Sequence, residues 1–259
     1  MTARLRITAI AATAVAAPAL LLAGCGGGDS ATTTASATTA ATTAAAGTSS
    51  TGASNVTTPA SVLLDQARAA VTAATSVHIV GTAAAASSGE AQALDLTAGR
   101  DGNGEGTIHF SPGDIDVRVV NGTPYAKAPA GFWAASGATA AQAKALGGVW
   151  VTAPASGSDA AQMTGFADMV DMAKVVDPIL AGFGTPTRAI GPTLGGVPTV
   201  TLTDPTGNRL WLPRTGAPLP LRYHANATGR QGTVRYSAWS APVTVSAPAG
   251  AVDFGQLGG

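Results

Sequence analysis

The chain has 259 residues, with 14 Lys and Arg balanced by 14 Asp and Glu, 33 Gly, 16 Pro and a single Cys. A net charge of zero leaves no electrostatic footprint for nucleic acid, and one thiol excludes a disulfide scaffold, a cysteine zinc site and an iron–sulfur cluster. Charged residues make up 11 %, far below the roughly 25 % of an ordinary soluble domain, and the density of Gly and Pro favours strands and turns over long helices.

Arg4 and Arg6 form a positive n-region, and Ile7 to Leu22 follow as 16 residues without a charge, interrupted by Pro18. That stretch is short for a membrane span, which needs about 20 residues, and it fits the h-region of a secretory signal peptide. Leu22-Ala23-Gly24-Cys25 then resembles the lipobox of bacterial lipoproteins. Residues 1–24 are therefore expected to be a signal peptide removed ahead of Cys25, whose thiol is the lipidation site. Two or more acyl chains of the palmitate class exceed what stable membrane anchoring needs. The expected location is the extracytoplasmic face of the cell membrane, with a mature net charge of −2.

Residues 25–59 read as the lipidated Cys and a disordered tether. From Gly26 to Pro59 the chain is almost entirely Thr, Ala, Ser and Gly, with Asp29 the only charge. Such a segment cannot bury enough apolar surface to offset the entropy of ordering it. As a flexible coil it would span about 32 Å; fully stretched it would reach roughly 115 Å. The Thr density suits either an O-glycosylated stalk or a plain spacer.

Residues 60–259 read as one folded domain. Thr58 as cap and Pro59 at the first helical position open a helix, with Val62, Leu63, Ala67, Ala70, Val71 and Ala74 on its apolar face and an end near Ser76. Strand-like segments follow over 77–86, 93–100 and 104–110, then the turn Ser111-Pro112-Gly113-Asp114. Ile115, Val117 and Val119 alternate with Asp116 and Arg118, as a half-buried strand requires, and Asn121-Gly122 marks a two-residue hairpin. Residues 138–146 are helix-prone and 148–153 strand-like. Met163, Phe166, Val170, Ala173 and Val176 trace one helical stripe over 160–176. Asp177-Pro178 restarts the helix toward Ile179, Leu180 and Phe183, a natural break at which a lid could swing. The C-terminal third returns to hairpins: 197–203 against 208–212 across Asp204-Pro205-Thr206-Gly207, and 219–225 against 234–238 across Thr228-Gly229, with a last strand at 243–246. About eleven hairpin-connected strands imply an antiparallel sheet, and the grouped helices imply an α+β fold.

Several stretches together resemble the actinobacterial LppX/LprAFG lipoprotein family, whose fold is like the LolA/LolB carriers. They are Thr75 to Gly81, Gly148 to Val151, Asp177 to Leu180, Gly196 to Val200, Arg209 to Leu212, Pro218 to Arg222, Trp239 and Val243 to Pro248, spread over roughly residues 61–254. Three Lys against eleven Arg also suit a GC-rich actinobacterial genome. The resemblance implies a strongly bent antiparallel half-barrel with helices across its concave face. Lipid or glycolipid acyl chains would lie between the two. The family has no catalytic motif, so the chain is expected not to be an enzyme and to need no cofactor.

The residues agree. His78, His109 and His224 lie on separate strands without metal-ligand spacing, and neither G-x-S-x-G nor S-x-x-K occurs. Gly102, Gly104 and Gly106 fail the dinucleotide fingerprint, because Thr107 takes its sixth position and a strand follows; they read as a turn. Asp114 and Asp116 share a strand face and read as a solvated hairpin. The cavity candidates are Trp133, Trp150, Met163, Phe166, Met169, Met172, Ile179, Leu180 and Phe183. Every methionine except Met1 falls within this set, and Met adapts to irregular apolar ligands. The pattern leaves two readings open: the helix simply covers the sheet, or it walls a lipid cavity. Two functions follow, a membrane-anchored lipid or glycolipid carrier and an envelope docking lipoprotein with a protein partner and no ligand.

Overall fold

The computed structural model describes residues 54–84, 91–109, 113–152, 158–227 and 230–253. The expected signal peptide, Cys25, the tether up to residue 53, Ser111-Pro112 and the Thr228-Gly229 turn lie outside the described residues.

Helix α1 (Ala60–Ala73) leads into strands β1 (Ser76–Ala84), β2 (Ala91–Gly99), β3 (Gly104–His109), β4 (Ile115–Val120) and β5 (Thr123–Lys127). Two short helices, α2 (Ala130–Ala135) and α3 (Ala140–Leu146), precede β6 (Trp150–Thr152). Helices α4 (Ser158–Met169), α5 (Met172–Val175) and α6 (Asp177–Ala181) follow. Strands β7 (Thr187–Leu194), β8 (Val197–Thr203), β9 (Arg209–Pro213), β10 (Arg222–Ala227), β11 (Arg230–Ser237) and β12 (Val252–Asp253) complete the chain.

All twelve strands form one open sheet in the order β12-β6-β5-β4-β3-β2-β1-β11-β10-β9-β8-β7. Two meanders therefore meet at a seam, where β1 pairs with β11 from His78 opposite Ser237 to Ala83 opposite Gly232. Among the described residues every pairing between these strands is antiparallel except that of β12 on β6. The expected α+β sheet is present. Strand β4 alternates, with Ile115, Val117 and Val119 buried and Asp116 and Arg118 turned outward, and the helices lie on the side those three residues face.

Local chemistry explains the connections. Asn121 (φ 51°) and Gly122 (φ 77°) both occupy the left-handed region, the requirement of a type I′ hairpin. At the other hairpin, Asp204 is buried and its Oδ1 accepts hydrogen bonds from the backbone N–H of Thr206 (2.9 Å) and Asn208 (3.0 Å). Burial works to raise the carboxyl's pKa. The bonds from Thr206 and Asn208 outweigh it and hold the group below its ordinary value.

Several sequence expectations are corrected. Pro59 is the N-cap of α1, not its first helical residue, and Thr58 provides no side-chain cap; its hydroxyl donates to the Ser54 carbonyl. The buried face of α1 is Leu63, Leu64, Ala67 and Val71, and Val62 is exposed. The helix expected over 160–176 ends at Met169, because the chain dips at Val170-Asp171 to meet the sheet: Asp171 bridges to Gly99, and the Gly99 N–H donates to Val170 O. Gly104 permits this approach, since a Cβ there would lie 2.7 Å from Val170 Cβ. Gly102 alone sits in the turn; Gly104 and Gly106 belong to β3. Strand β7 and helix α2 were not anticipated. Residues 243–246 form no strand, and the last strand is β12.

Candidate functional site

The apolar interior divides into two clusters under the helices. The first gathers Leu63, Leu64, Ala67 and Val71 of α1 with Met172, Val176, Leu180 and Phe183. These lie against Val77 and Ile79 of β1, Val200 and Leu202 of β8, Leu210 and Leu212 of β9, and Tyr236 of β11. Burial pushes the Tyr236 hydroxyl far above its usual pKa, so that tyrosine stays neutral. The second cluster gathers Trp133, Leu146, Met163, Phe166 and Val170 over Ile108, Ile115, Val117, Val119 and Val151. In it the Phe132 ring meets Trp133 edge-on at 5.3 Å and Phe166 at 6.1 Å, distances at which aromatic pairs attract beyond their buried area.

The nine cavity candidates are thus distributed. Trp133, Met163 and Phe166 wall the second cluster, with half-buried Met169 at its margin; Met172, Leu180 and Phe183 belong to the first. Ile179 is half-buried on α6. Trp150 lies apart from all of them, on the opposite face of the sheet. There Arg118 and Lys127 sit 5.2 and 5.3 Å from its ring.

Two arginines fix the α5–α6 region. Arg100, at the end of β2, donates from Nε to Ala74 O (2.9 Å) and from Nη2 to Val71 O (2.7 Å), closing the C-terminus of α1. The same guanidinium forks onto both carboxylate oxygens of Asp177 at 3.0 and 3.2 Å. Its bond to Asp177 raises its pKa further against the opposing effect of burial. Arg68 of α1 donates to the carbonyls of Leu180 (3.1 and 3.0 Å) and Phe183 (3.2 Å) beyond it. The Asp177-Pro178 break is therefore clamped at both ends, contrary to the free hinge expected there. Helix α4 lies over β4 and β5 through Met163 and Phe166, beside Trp133 of α2 and Leu146 of α3, and neither arginine ties it down.

On the outer face of β2–β6 lies an open polar hollow of about 610 Å³. Asp95, Glu105, Asp116, Arg118, Lys127 and Trp150 are among its lining residues. The histidines are engaged across strands. His78 Nε2 lies 2.7 Å from Asp95, His109 Nδ1 2.9 Å from Asp114, and His224 Nδ1 2.9 Å from the Thr233 hydroxyl.

Sequence reasoning missed Arg68, Arg100 and the docking of Asn55. Within the expected tether, Ser54 bridges to Thr215, and Asn55 is 1 % exposed. Asn55 donates from its backbone N–H to Arg214 O (2.8 Å) and from Nδ2 to Pro213 O (2.8 Å) and Gly216 O (3.2 Å). One signal was present but unread. Residues 54–177 hold six Lys and Arg against eleven Asp and Glu, whereas residues 178–259 hold six Arg against two Asp, a sign asymmetry of the kind that marks an interaction surface.

The described chain shares the fold of LprF from Mycobacterium bovis, at a TM-score of 0.51 and 20 % identity, over 74 % of this chain and 97 % of that one. The lipoprotein LppX from Mycobacterium tuberculosis aligns at a TM-score of 0.46 and 16 % identity, over 72 % and 99 %. A LolA superfamily protein from Nitrosomonas europaea aligns at 0.29 and 10 %, over 73 % and 96 %. No family model matches the chain, and no curated protein does.

Proposed function

We propose that the chain is a non-catalytic, extracytoplasmic lipoprotein. In this reading residues 1–24 are removed, Cys25 is acylated, and a tether carries a domain that holds lipid or glycolipid acyl chains between sheet and helices. The observation that carries the reading is an open sheet that buries Val, Leu and Ile side chains of both halves beneath helices of only 4–14 residues. Short helices contribute little stability of their own, so the cover depends on what lies beneath it. The cover over β4–β6 is built from Phe132, Trp133, Met163 and Phe166. Among them the unbranched Met163 repacks around irregular ligands at lower cost than branched aliphatics. The fold shared with LprF and the resemblance to the LppX/LprAFG lipoproteins support the same reading. With α5 and α6 clamped, α4 is the element that lifts to admit a chain.

The competing reading, an envelope docking lipoprotein without ligand, is favoured by one observation: Val170, Met172, Val176 and Leu180 are 0–2 % exposed, as in a filled core. Two measurements on the full chain, purified from an actinobacterial membrane background, separate them. The carrier reading expects stoichiometric co-purifying lipid by mass spectrometry, reduced in Met163→Trp at a stability cost below about 1 kcal/mol. A filled core expects no lipid and an overpacking cost of about 1–3 kcal/mol. The anchor is tested separately: Cys25→Ala should move the protein from the membrane fraction to the salt-washed supernatant.

A further inference from the structure

The outer faces of the two halves of the sheet carry different charge patterns. Over β3–β5 each cation faces a carboxylate, Arg118 with Glu105 at 2.9 Å and Lys127 with Asp116 at 2.8 Å. Over β9–β11 the register places Trp211, Arg222 and Arg235 in one row and Arg209, His224 and Thr233 in the next. These six share a face, because the alternate residues Leu210, Tyr223 and Val234 turn toward the core. Among the described residues, none of the three arginines forms an ion pair. Arg222 lies 5.5 Å from the ring of Trp211, which is 8 % exposed. The Arg222 Nε is buried without a hydrogen-bond partner. Arg222 and Arg235 stand directly opposite each other, an arrangement that destabilises a sheet when nothing anionic lies between.

The path of the chain points to the occupant. Ser54 and Asn55 dock on residues 213–216, the direct continuation of β9. The segment that joins Cys25 to the domain therefore arrives beside the strand that carries Arg209 and Trp211, with 28 residues between Cys25 and Ser54.

We propose that the outer face of β9–β11, centred on Arg222 and Arg235 and extended by Arg209, docks on the anionic headgroups of a phospholipid bilayer. Guanidinium groups match phosphate oxygens in bidentate geometry. The approaching phosphates relieve the Arg222–Arg235 repulsion, and Trp211 holds Arg222 against the sheet. The choice of a bilayer rests on the anchoring proposed above, so the experiment removes the anchor and the two can fail separately.

The test is co-sedimentation of the full chain, with Cys25→Ala in every arm. Vesicles are phosphatidylcholine alone or phosphatidylcholine with phosphatidylglycerol. The shared background keeps any contribution of residues 1–24 equal in every arm. Two variants each remove two units of positive charge from the face, Arg235→Glu and the double variant Arg222→Gln/Arg235→Gln. Each cation near an anionic leaflet is worth about five-fold in binding, so each variant should bind phosphatidylglycerol vesicles about 30-fold more weakly. Lys144→Glu, an equal charge change at an exposed site on α3, should change binding less than about two-fold. Binding to phosphatidylcholine alone should be weak and insensitive to the variants. In solution Arg235→Glu should raise the thermal midpoint, because an attractive cross-strand pair replaces a repulsive one. If Arg235→Glu fails to fold, the glutamine pair decides. The proposal is overturned if both variants bind like the parent, or if Lys144→Glu loses as much. It is also overturned if the variants lose affinity for a duplex oligonucleotide but not for vesicles.

Discussion

The half of the sheet built from β8–β11 and the half built from β2–β6 bury the same kind of inner face under different covers. In the first, Val200, Leu202, Leu210 and Leu212 lie under α1, α5 and α6, and Arg68 and Arg100 tie those helices together through directional bonds to carbonyls and to Asp177. In the second, Ile115, Val117 and Val119 lie under aromatic and thioether side chains of α2 and α4. Dispersion and ring contacts tolerate small displacements that a bidentate ion pair does not. One half fixes the shape of the domain, and the other can repack.

Substitutions at five positions sharpen or break this comparison. The largest effect is expected at Leu63, which is 0 % exposed in the rigid half. Leu63→Ala should cost about 3–5 kcal/mol by urea unfolding, and Met163→Ala, on the adaptable side, about 1 kcal/mol less. Equal costs would show that both covers are equally stiff. Next comes Arg100→Ala, which leaves the Val71 and Ala74 carbonyls and Asp177 without their donor. A loss of about 2 kcal/mol is expected, and Arg100→Lys should recover less than half of it, since an ammonium cannot reproduce the fork. Near-full recovery by Lys would mean charge alone holds the joint.

Asp204→Ala should cost about 1–2 kcal/mol, because four donors of the β8–β9 turn lose their acceptor. Its folded pKa lies below its ordinary 3.8. The carboxylate's contribution is therefore fully present above that value and is lost as pH falls through the depressed folded value. Stability of Asp204→Asn measured from pH 6 down to about pH 2 should fall less steeply than that of the parent; a parallel fall would reject the assignment. The smallest effect belongs to Trp150, partly exposed on the outer face: Trp150→Ala should cost about 1 kcal/mol or less, through lost contact with Arg118 and Lys127. A cost as large as that of Leu63→Ala would place Trp150 in a core.

Much of the sheet was legible in the residues. Alternation at Ile115, Val117 and Val119 fixes which side of β4 is buried, and Asn121-Gly122 and Asp204 to Gly207 set two hairpins through backbone conformations few other residues adopt. Strand β7 was not legible. Its residues are mostly exposed at an edge, with Ile190 59 % exposed, so no burial pattern marks them. The end of α4 at Met169 was hidden because the helical stripe continues through Val170 and Val176. What stops the helix is a long-range contact at Gly99 and Gly104, some 70 residues earlier. The candidate residues were found as a group, but not their division between two clusters, since helical spacing alone cannot say which strands lie beneath. Trp150 is apolar enough for a cavity wall, but its strand phase turns it to the other face.

An open sheet has two free margins, and each is a template on which another extended chain can add itself. At one margin this molecule uses its own C-terminal stretch: β12 lies parallel on β6, with Val252 opposite Val151 and Asp253 opposite Thr152. At the other margin, β7 shifts register between Ile190 and Thr193. Pro192 within that shift offers no backbone N–H to an incoming strand. Shortening the chain ahead of Val252 would uncover only a few hydrogen-bonding groups, a trivial loss of internal stability. It would nonetheless open β6 to the same edge of a second copy, and because Pro192 still guards β7 the product would be a closed dimer, visible as a doubled mass by light scattering at unchanged thermal midpoint.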